Sequence, residues 1–573
     1  MIPQQFHYII DAIAPFVLSR CFSKGQVINW SKIPFSLLER NGVIPPLWSD
    51  QIIHRFDSYS SQVAEIGFNA LSIDDLAHLS FHPSYTFDLQ EKIRLYNPLF
   101  EKLFTIAAER NLDMFVNTDA AFAPAGISTT PKTAIDSMIV QCNDLFIRYP
   151  TVKGVILRLG ECDGVDVKGE IRSNLTFQRA VHARTLIREL IKLFEYHHRF
   201  LIVRTWTVGA YEIGDLMWNP ATYEKVFGGI TSSNLIVSHK YGESDFFRYL
   251  SLNPLIFYGE QRKIVEFQTR REYEGFGEFP SFVGYDYEQY RNELNTCRNI
   301  AGIHVWCQTG GWSKFHRSTF MPDSSLWNEI NTVVTVKLFK EGKAADEQIV
   351  DFALKRFPGK NPEILQKLLQ LSDEVIKKLW YLPEFSQRVL FFRRLRIPPL
   401  LWIFWDTIIV NMTLRRILRY FVINKQETVD EGFRVLGNIA VMKQCAEGLG
   451  IDSQDFDFQF ATFELLAKIR HYMLSNWSQV SAQEMNDCIQ NYISHYPHGF
   501  YINNDSSANS SGKRMLNVFL AIVLRNRPQY RLMEKTLFWL GLAVVRPVVH
   551  LWGRKRIPRF ASERAMGIET LLK

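Results

Sequence analysis

Short apolar or β-branched runs recur through the first three hundred residues, and most are separated by longer stretches whose apolar positions return every three to four residues. The short runs suit strands and the periodic stretches suit amphipathic helices. This pattern predicts strands near Gln26–Trp30, Asn69–Asp74, Asp113–Asn117, Gly154–Leu159, Leu201–Trp206, Leu235–His239, Lys263–Phe267 and Gly302–Cys307. It predicts helices over Ile52–Ile66, Pro98–Arg110, Thr133–Arg148, Asn174–His197, Ala221–Phe227 and Tyr287–Asn299. Strand and helix alternating in this way imply a parallel sheet with right-handed crossovers, and eight repeats close a (β/α)8 (TIM) barrel. The connection after Leu235–His239 is mostly irregular, which in a barrel reads as a loop lengthened for substrate.

Beyond Ser324 the strand signals fade and helical periodicity takes over, at Leu326–Gly342, Ala345–Phe357, Pro362–Tyr381, Glu427–Gly448, Phe456–Ser475 and Ala482–Ser494. The polar stretch from Asn503 to Gly512 has too little apolar surface to order itself and reads as a flexible loop. The expected fold class is therefore α/β. A catalytic barrel spans residues 1–324, a mainly α-helical C-terminal region spans 325–502, and a flexible loop with a basic aromatic tail spans 503–573.

With 573 residues and 47% apolar content, the chain has material for more than one domain. The net charge of +7 is small for this length and spread along it, and there is no zinc finger, RNA-recognition signature or phosphate-cradling Gly-rich loop, so no nucleic-acid partner is expected. Seven cysteines without close pairing suggest buried thiols of a reducing compartment. Met1 to Lys24 shows no basic start or continuous apolar segment, so a cytoplasmic protein is expected.

Where the predicted strands end, charge begins. Gly154–Leu159 is followed by Gly160-Glu161-Cys162-Asp163-Gly164, and Leu201–Val203 by Arg204 and Trp206. Leu235-Ile236-Val237 runs into His239, Lys240, Glu243 and Asp245, and Ile264-Val265 into Glu266, Gln268, Arg271, Glu272 and Tyr273. In a parallel barrel such residues converge on the carboxyl-terminal face, whereas in an ordinary sheet the same pattern is a strand followed by a solvated loop. Carboxylates facing one another across a barrel mouth suit glycoside hydrolysis, in which one protonates the leaving oxygen and another activates water or attacks carbon. Trp206, Tyr241, Phe246, Tyr273, Trp306 and Trp312 offer flat faces for sugar rings, although aromatic residues on strands also serve as core.

The run from Val237 to Phe246 (VSHKYGESDF) is similar to a V-x-x-K-x-G-x-x-D-F run of the alpha-glucuronidases of glycoside hydrolase family 67, and the run from Glu266 to Gly275 (EFQTRREYEG) resembles that family's E-F-Q-x-x-Q-E-Y-x-G. Weaker echoes lie at Ile66-Gly67-Phe68-Asn69-Ala70, at Asn117 with Ala121-Phe122-Ala123-Pro124, and at Glu161-Cys162-Asp163-Gly164; the likeness spans Gln26 to Leu379. The resemblance implies Glu161 as general acid, with Asp245 and Glu272 as the carboxylates that position and deprotonate the attacking water. It implies inversion in a single displacement, and Arg204 and Lys240 as ligands of sugar hydroxyl or carboxylate groups. Glu266 precedes its strand end by a few residues and reads as a hydrogen-bonding partner; Asn117, Trp206, Trp306 and Trp312 complete the expected substrate-binding set. The departures are specific. The family's β-rich N-terminal domain has no counterpart, its paired Asn after the second strand is here Asp74-Asp75, and the nearest replacement for its Lys before the general acid is Arg158. These touch the uronate pocket, so the cognate sugar need not be glucuronic acid.

Two apolar segments stand apart. Ile397 to Val410 is flanked by Arg393, Arg394 and Arg396 and by Arg415, Arg416 and Arg419, and Thr536 to Trp552 is followed by Arg554-Lys555-Arg556. Both are short for a membrane span, and Asp406 and Arg546 argue against crossing. They read either as core helices or as interfacial attachment, through 397–419 and 536–560, to the inner face of a membrane. The expected function is an inverting glycoside hydrolase acting on an oligosaccharide that carries a uronic acid, with no metal or cofactor and with the helical region as the contact for a homodimer. The alternative is a catalytically inactive carbohydrate-binding protein or membrane-associated scaffold in glycan assembly.

Overall fold

The computed structural model describes residues 6–18, 22–82, 84–160, 170–207, 211–476, 481–505 and 524–530. Eight parallel strands close a barrel: β1 (His7–Asp11), β2 (Ala70–Asp74), β3 (Asp113–Asp119), β4 (Val152–Arg158), β5 (Phe200–Arg204), β6 (Leu235–Lys240), β7 (Arg262–Gln268) and β8 (Ile300–Trp306). Each pairs with its chain neighbours, and β1 closes the ring against both β2 and β8. The outer layer holds α1 (Pro46–Ile66), α2 (Phe87–Glu109), α3 (Pro131–Arg148), α4 (Ala180–Tyr196), α5 (Pro220–Phe227), α6 (Gly284–Leu294) and α7 (Leu326–Glu341). Several start where a side chain satisfies the first backbone N–H groups: Thr86 accepts from Leu89, Thr130 forms a capping box with Thr133, and Ser325 accepts from Asn328. The stretch after β6 carries no α-helix, only a short 3-10 turn at Pro254–Phe257.

The two-residue period of the strands sorts the barrel interior into layers. Its floor is eight apolar side chains, one per strand: Ile9, Ala70, Phe115, Ile156, Ile202, Ile236, Ile264 and Ala301. Two positions further along, seven of these strands present Asp11, Ser72, Asn117, Arg158, Arg204, Ser238 and Glu266, and β8 sets His304 in register with Glu266, all buried. Apolar floor and polar mouth thus follow from one alternation, and the polar side chains gather at the carboxyl-terminal end.

The first strand differs from expectation. Gln26–Trp30 supplies only Ile28–Asn29, which pairs antiparallel with Trp312–Ser313 outside the barrel. His7–Asp11 takes its place, because closure needs a parallel strand that bonds on both edges: His7–Ile10 register with Gly302–Val305, and Ile9–Asp11 with Ala70–Ser72. The expected helix from Asn174 begins later, at Ala180, since Ile171–Ser173 first pairs with Phe122–Pro124. The helix that follows the eighth strand, α7, packs against α1 and α6, so the ring runs past residue 324. Beyond it lie Ala345–Arg356, Pro362–Val375, Met412–Phe421, Lys425–Leu436, Asn438–Leu449, Gln454–Leu474 and Ala482–His495, a mainly helical region.

Ile397 to Val410 is neither a core helix nor an interfacial one. Ile403–Phe404 and Thr407–Asn411 form a hairpin, and Tyr501–Asp505 joins it as a parallel third strand. The β-branched run Thr407-Ile408-Ile409-Val410 favours a strand. Packing hides both rings: Trp402 and Trp405 are buried, and Trp402 donates to the Trp380 carbonyl at 3.0 Å. Arg415 and Arg419 donate to the Ser475 carbonyl, at 2.9 and 2.6 Å. Both indole rings of the segment therefore face the protein interior, and 536–560 falls outside the described residues. No helix among the described residues is long and apolar enough to cross a membrane.

Candidate active site

The mouth of the barrel has two polar walls. Strands β5 to β8 carry one, and its centre is a carboxylate pair. Asp245, on the loop after β6, lies 2.5 Å from Lys240 Nζ and accepts from the Tyr273 hydroxyl at 2.9 Å and the Phe246 N–H at 2.9 Å. Lys240 Nζ also sits 4.6 Å from the ring centroids of Trp206 and Phe246, so cation–π attraction helps to aim it. Glu272, on the loop after β7, accepts from Gln268 Nε2 at 2.8 Å, the Gly311 N–H at 2.7 Å and Trp405 Nε1 at 3.0 Å. Gln268 returns the contact by accepting the Glu272 N–H at 3.0 Å.

Burial, and then the charge of Asp245, push the Glu272 carboxyl up to about 7; Lys240 and the Gln268 and Gly311 bonds pull back only part of the way. Deeper in the same wall, Glu266 receives a fork from Arg204 at 2.9 and 2.6 Å, with Ser238 Oγ at 2.7 Å and Trp306 Nε1 at 3.0 Å. Burial works to raise this carboxyl, but the Arg204 pair outweighs it and holds it at about 2. Arg204 also lies 4.7 Å from the Trp306 ring centroid. Glu266 is a brace under the site, ionised at neutral pH.

The opposite wall comes from β2, β3 and β4. Arg158 bridges Asp74 at 3.2 Å and Asp119 at 2.7 Å. Lys32 reaches over from the loop before α1 to Asp119 at 3.3 Å, Asp74 at 3.4 Å and Asp75 at 3.9 Å. His78 Nδ1 lies 2.7 Å from Asp75. Asn117 faces inward beside Asp74, its partner in the β2–β3 register. The structure thus gathers Arg204, Trp206, Lys240, Asp245, Glu266, Glu272 and Trp306 on one wall and Asp74, Asp75, Asn117 and Arg158 on the other. Trp312 is half-buried at the rim on its two-residue strand. Glu161 lies outside the described residues.

Several contributors were not read from the sequence. Trp405 arrives from the hairpin after the barrel, with its indole against Gly311: a Cβ there would fall 1.9 Å from Trp405 Cε2. Asp406 anchors the same hairpin by accepting the Lys314 N–H at 3.0 Å. The local signal was a Trp-Asp turn between an apolar aromatic run and the β-branched run Thr407-Ile408-Ile409-Val410, which a search for apolar helices passes over. Lys32 and Asp119 gave no motif signal. Among the described residues there is no group of His, Cys, Asp or Glu disposed to hold a metal ion.

Fold and site together define a (β/α)8 barrel protein whose carboxyl-terminal mouth pairs buried carboxylates with cations and aromatic rings. No family model matches the sequence, and no curated protein matches it. Among solved structures, a GH138 enzyme targeting pectin rhamnogalacturonan II superposes with a TM-score of 0.50 at 11% identity, over 95% of this chain and 85% of that one. At that identity the likeness is one of fold. CpGH84B gives a TM-score of 0.39 at 11% identity over 77% of this chain and 70% of its own. A family 89 glycoside hydrolase from Clostridium perfringens, in complex with PUGNAc, gives 0.42 at 10% identity over 86% and 53%.

Proposed function

We propose that this chain is a glycoside hydrolase that cleaves its substrate by inversion at the mouth of the barrel. The observation that carries the reading is the Asp245–Glu272 pair. Asp245 is held by Lys240, while Glu272 sits beside it with a carboxyl poised near neutrality. A carboxyl poised near neutrality can exchange a proton at working pH, and Asp245, fixed by Lys240 and the Tyr273 hydroxyl, is placed to orient water beside it. Water, oriented by Asp245, gives its proton to Glu272 as its oxygen attacks the anomeric carbon. The carbon–oxygen bond to the leaving group breaks, and that oxygen takes a proton from Glu161. The resemblance to family 67 supports these roles and implies a uronate; the GH138 enzyme that shares the fold targets pectin rhamnogalacturonan II, which supports a glycan as the substrate class.

The test is proton NMR of the released sugar from a panel of neutral and acidic oligosaccharides. A first-formed anomer of opposite configuration supports inversion, and retention refutes it. Glu161→Gln should lose most rate with poor leaving groups, because good ones need no protonation. No turnover of any glycoside, with sugar binding intact, would establish the binding-protein alternative. The elevated Glu272 carboxyl also suits a second assignment, in which Glu272 is the acid. A base requires activity to rise with pH through about 7, and an acid requires it to fall.

A further inference from the structure

The wall built by β2, β3 and β4 has chemistry that the hydrolytic step does not use. Asn117 is only 3% exposed, yet its Oδ1 has no hydrogen-bond partner among the described residues. An unmade bond on a buried amide is costly, so Asn117 Oδ1 calls for a partner, and in a polar mouth an entering hydroxyl can supply it. Around it stand three carboxylates and two cations, with His78 on Asp75. The four cations that the described residues place at the mouth already have carboxylate partners: Lys32 at 3.3 Å, Arg158 at 2.7 Å, Arg204 at 2.6 Å and Lys240 at 2.5 Å. A further carboxylate would enter beside Asp74, Asp75 and Asp119 and would have to displace one of them to find a counter-charge. A hydroxyl meets no such barrier, since it donates to a carboxylate or to Asn117 Oδ1 and accepts from Lys32 without adding charge.

We infer that this wall is a subsite for a neutral, hydroxyl-bearing sugar unit, with Asn117 as its floor, and that it rejects a uronate. The inference rests on the glycosidase reading for its ligand class and deepens it, because it sets the charge of the sugar that the pocket takes. Asp74-Asp75 is then a specificity device: it makes the wall acidic where the paired amides of family 67 would leave it neutral. Rejection operates through like charge in a buried setting, where an unpaired second carboxylate is most expensive.

The test is ligand-observed NMR binding on the full chain with three probes: methyl glucoside, methyl glucuronide and methyl glucosaminide. The neutral glycoside is expected to bind at least about tenfold more tightly than the uronide. Asn117→Ala should weaken the neutral glycoside by about tenfold. Asp75→Asn, at the more exposed of the two aspartates, should narrow the neutral-to-uronide gap. Uronide binding equal to or tighter than the neutral glycoside overturns the proposal, as does absence of neutral binding or preference for the glucosaminide. The wild-type comparison needs no variant to fold. It is also independent of turnover: preferential neutral binding without hydrolysis of any glycoside defeats the glycosidase reading alone, and hydrolysis confined to uronides defeats this subsite alone.

Discussion

Replacing Glu272 by glutamine keeps the side chain's shape and removes its titration. The folded carboxyl is raised from 4.5 to about 7, so the native state holds this proton more tightly than the unfolded chain does. Its stabilising effect is fully present below about 4.5 and is lost as pH rises through about 7, since the slope of stability with pH follows the excess of protons bound by the unfolded state, here negative. The whole shift corresponds to about 3 kcal/mol, most of which falls between about pH 5 and about pH 8.5. Against this stands a cost that does not depend on pH. Glu272 accepts from Gln268, Gly311 and Trp405, and an amide turns one of those acceptors into a donor, at about 1 kcal/mol. Glu272→Gln is therefore expected to be slightly less stable than the wild type at about pH 5 and more stable at about pH 8.5, with the gap moving by about 2–3 kcal/mol. Urea unfolding of both proteins at the two pH values measures it. If the gap stays constant within about 0.5 kcal/mol, Glu272 is not held above its usual range, and the proton-exchange role loses its basis. The same variant should abolish hydrolysis at every pH.

Glu266 behaves in the opposite sense: held at about 2, it contributes stability that is present above about 4.5 and lost as pH falls toward 2, about 3 kcal/mol in all, and Glu266→Gln should remove that acid limb from a pH series of unfolding curves. The same change leaves Arg204 buried without its carboxylate and should lower stability by about 3–5 kcal/mol at neutral pH; a loss under about 1 kcal/mol would show that the fork is not a brace. Trp405→Phe removes one donor to the ionised form of Glu272, so the pH limb of kcat assigned to that residue should move upward; an unmoved limb separates Trp405 from the reaction. Gly311→Ala places a methyl on the Trp405 ring and should expel it, reducing kcat and quenching or shifting Trp fluorescence, whereas unchanged spectra and rate would mean that the loop yields.

The strands Leu235–Lys240 and Arg262–Gln268 were legible in the sequence because a barrel strand is a local pattern: apolar residues for the floor, then charge two and four positions on. The same alternation set Arg204, Lys240 and Glu266 facing inward, and the loops that follow carry Asp245 and Glu272 a few residues beyond their strands. His7–Asp11 was not legible as the first strand, because a five-residue segment with only three apolar positions is ambiguous until Ile300–Trp306 and Ala70–Asp74 offer it two edges. Which cation serves which carboxylate was equally hidden. Arg204 and Glu266 are 62 residues apart, and Trp405 reaches Glu272 from 133 residues downstream. Sequence alone determined the period of most barrel strands and helices and the polarity of the mouth, since both depend on neighbours one to four residues away; it misjudged Ile397–Val410, where an apolar run folds as a hairpin. Tertiary structure decided the closure, the pairing of charges, the burial that raises Glu272, and the fate of Trp402 and Trp405. Those depend on distances between segments remote in the chain, which only the packed barrel brings within hydrogen-bond range.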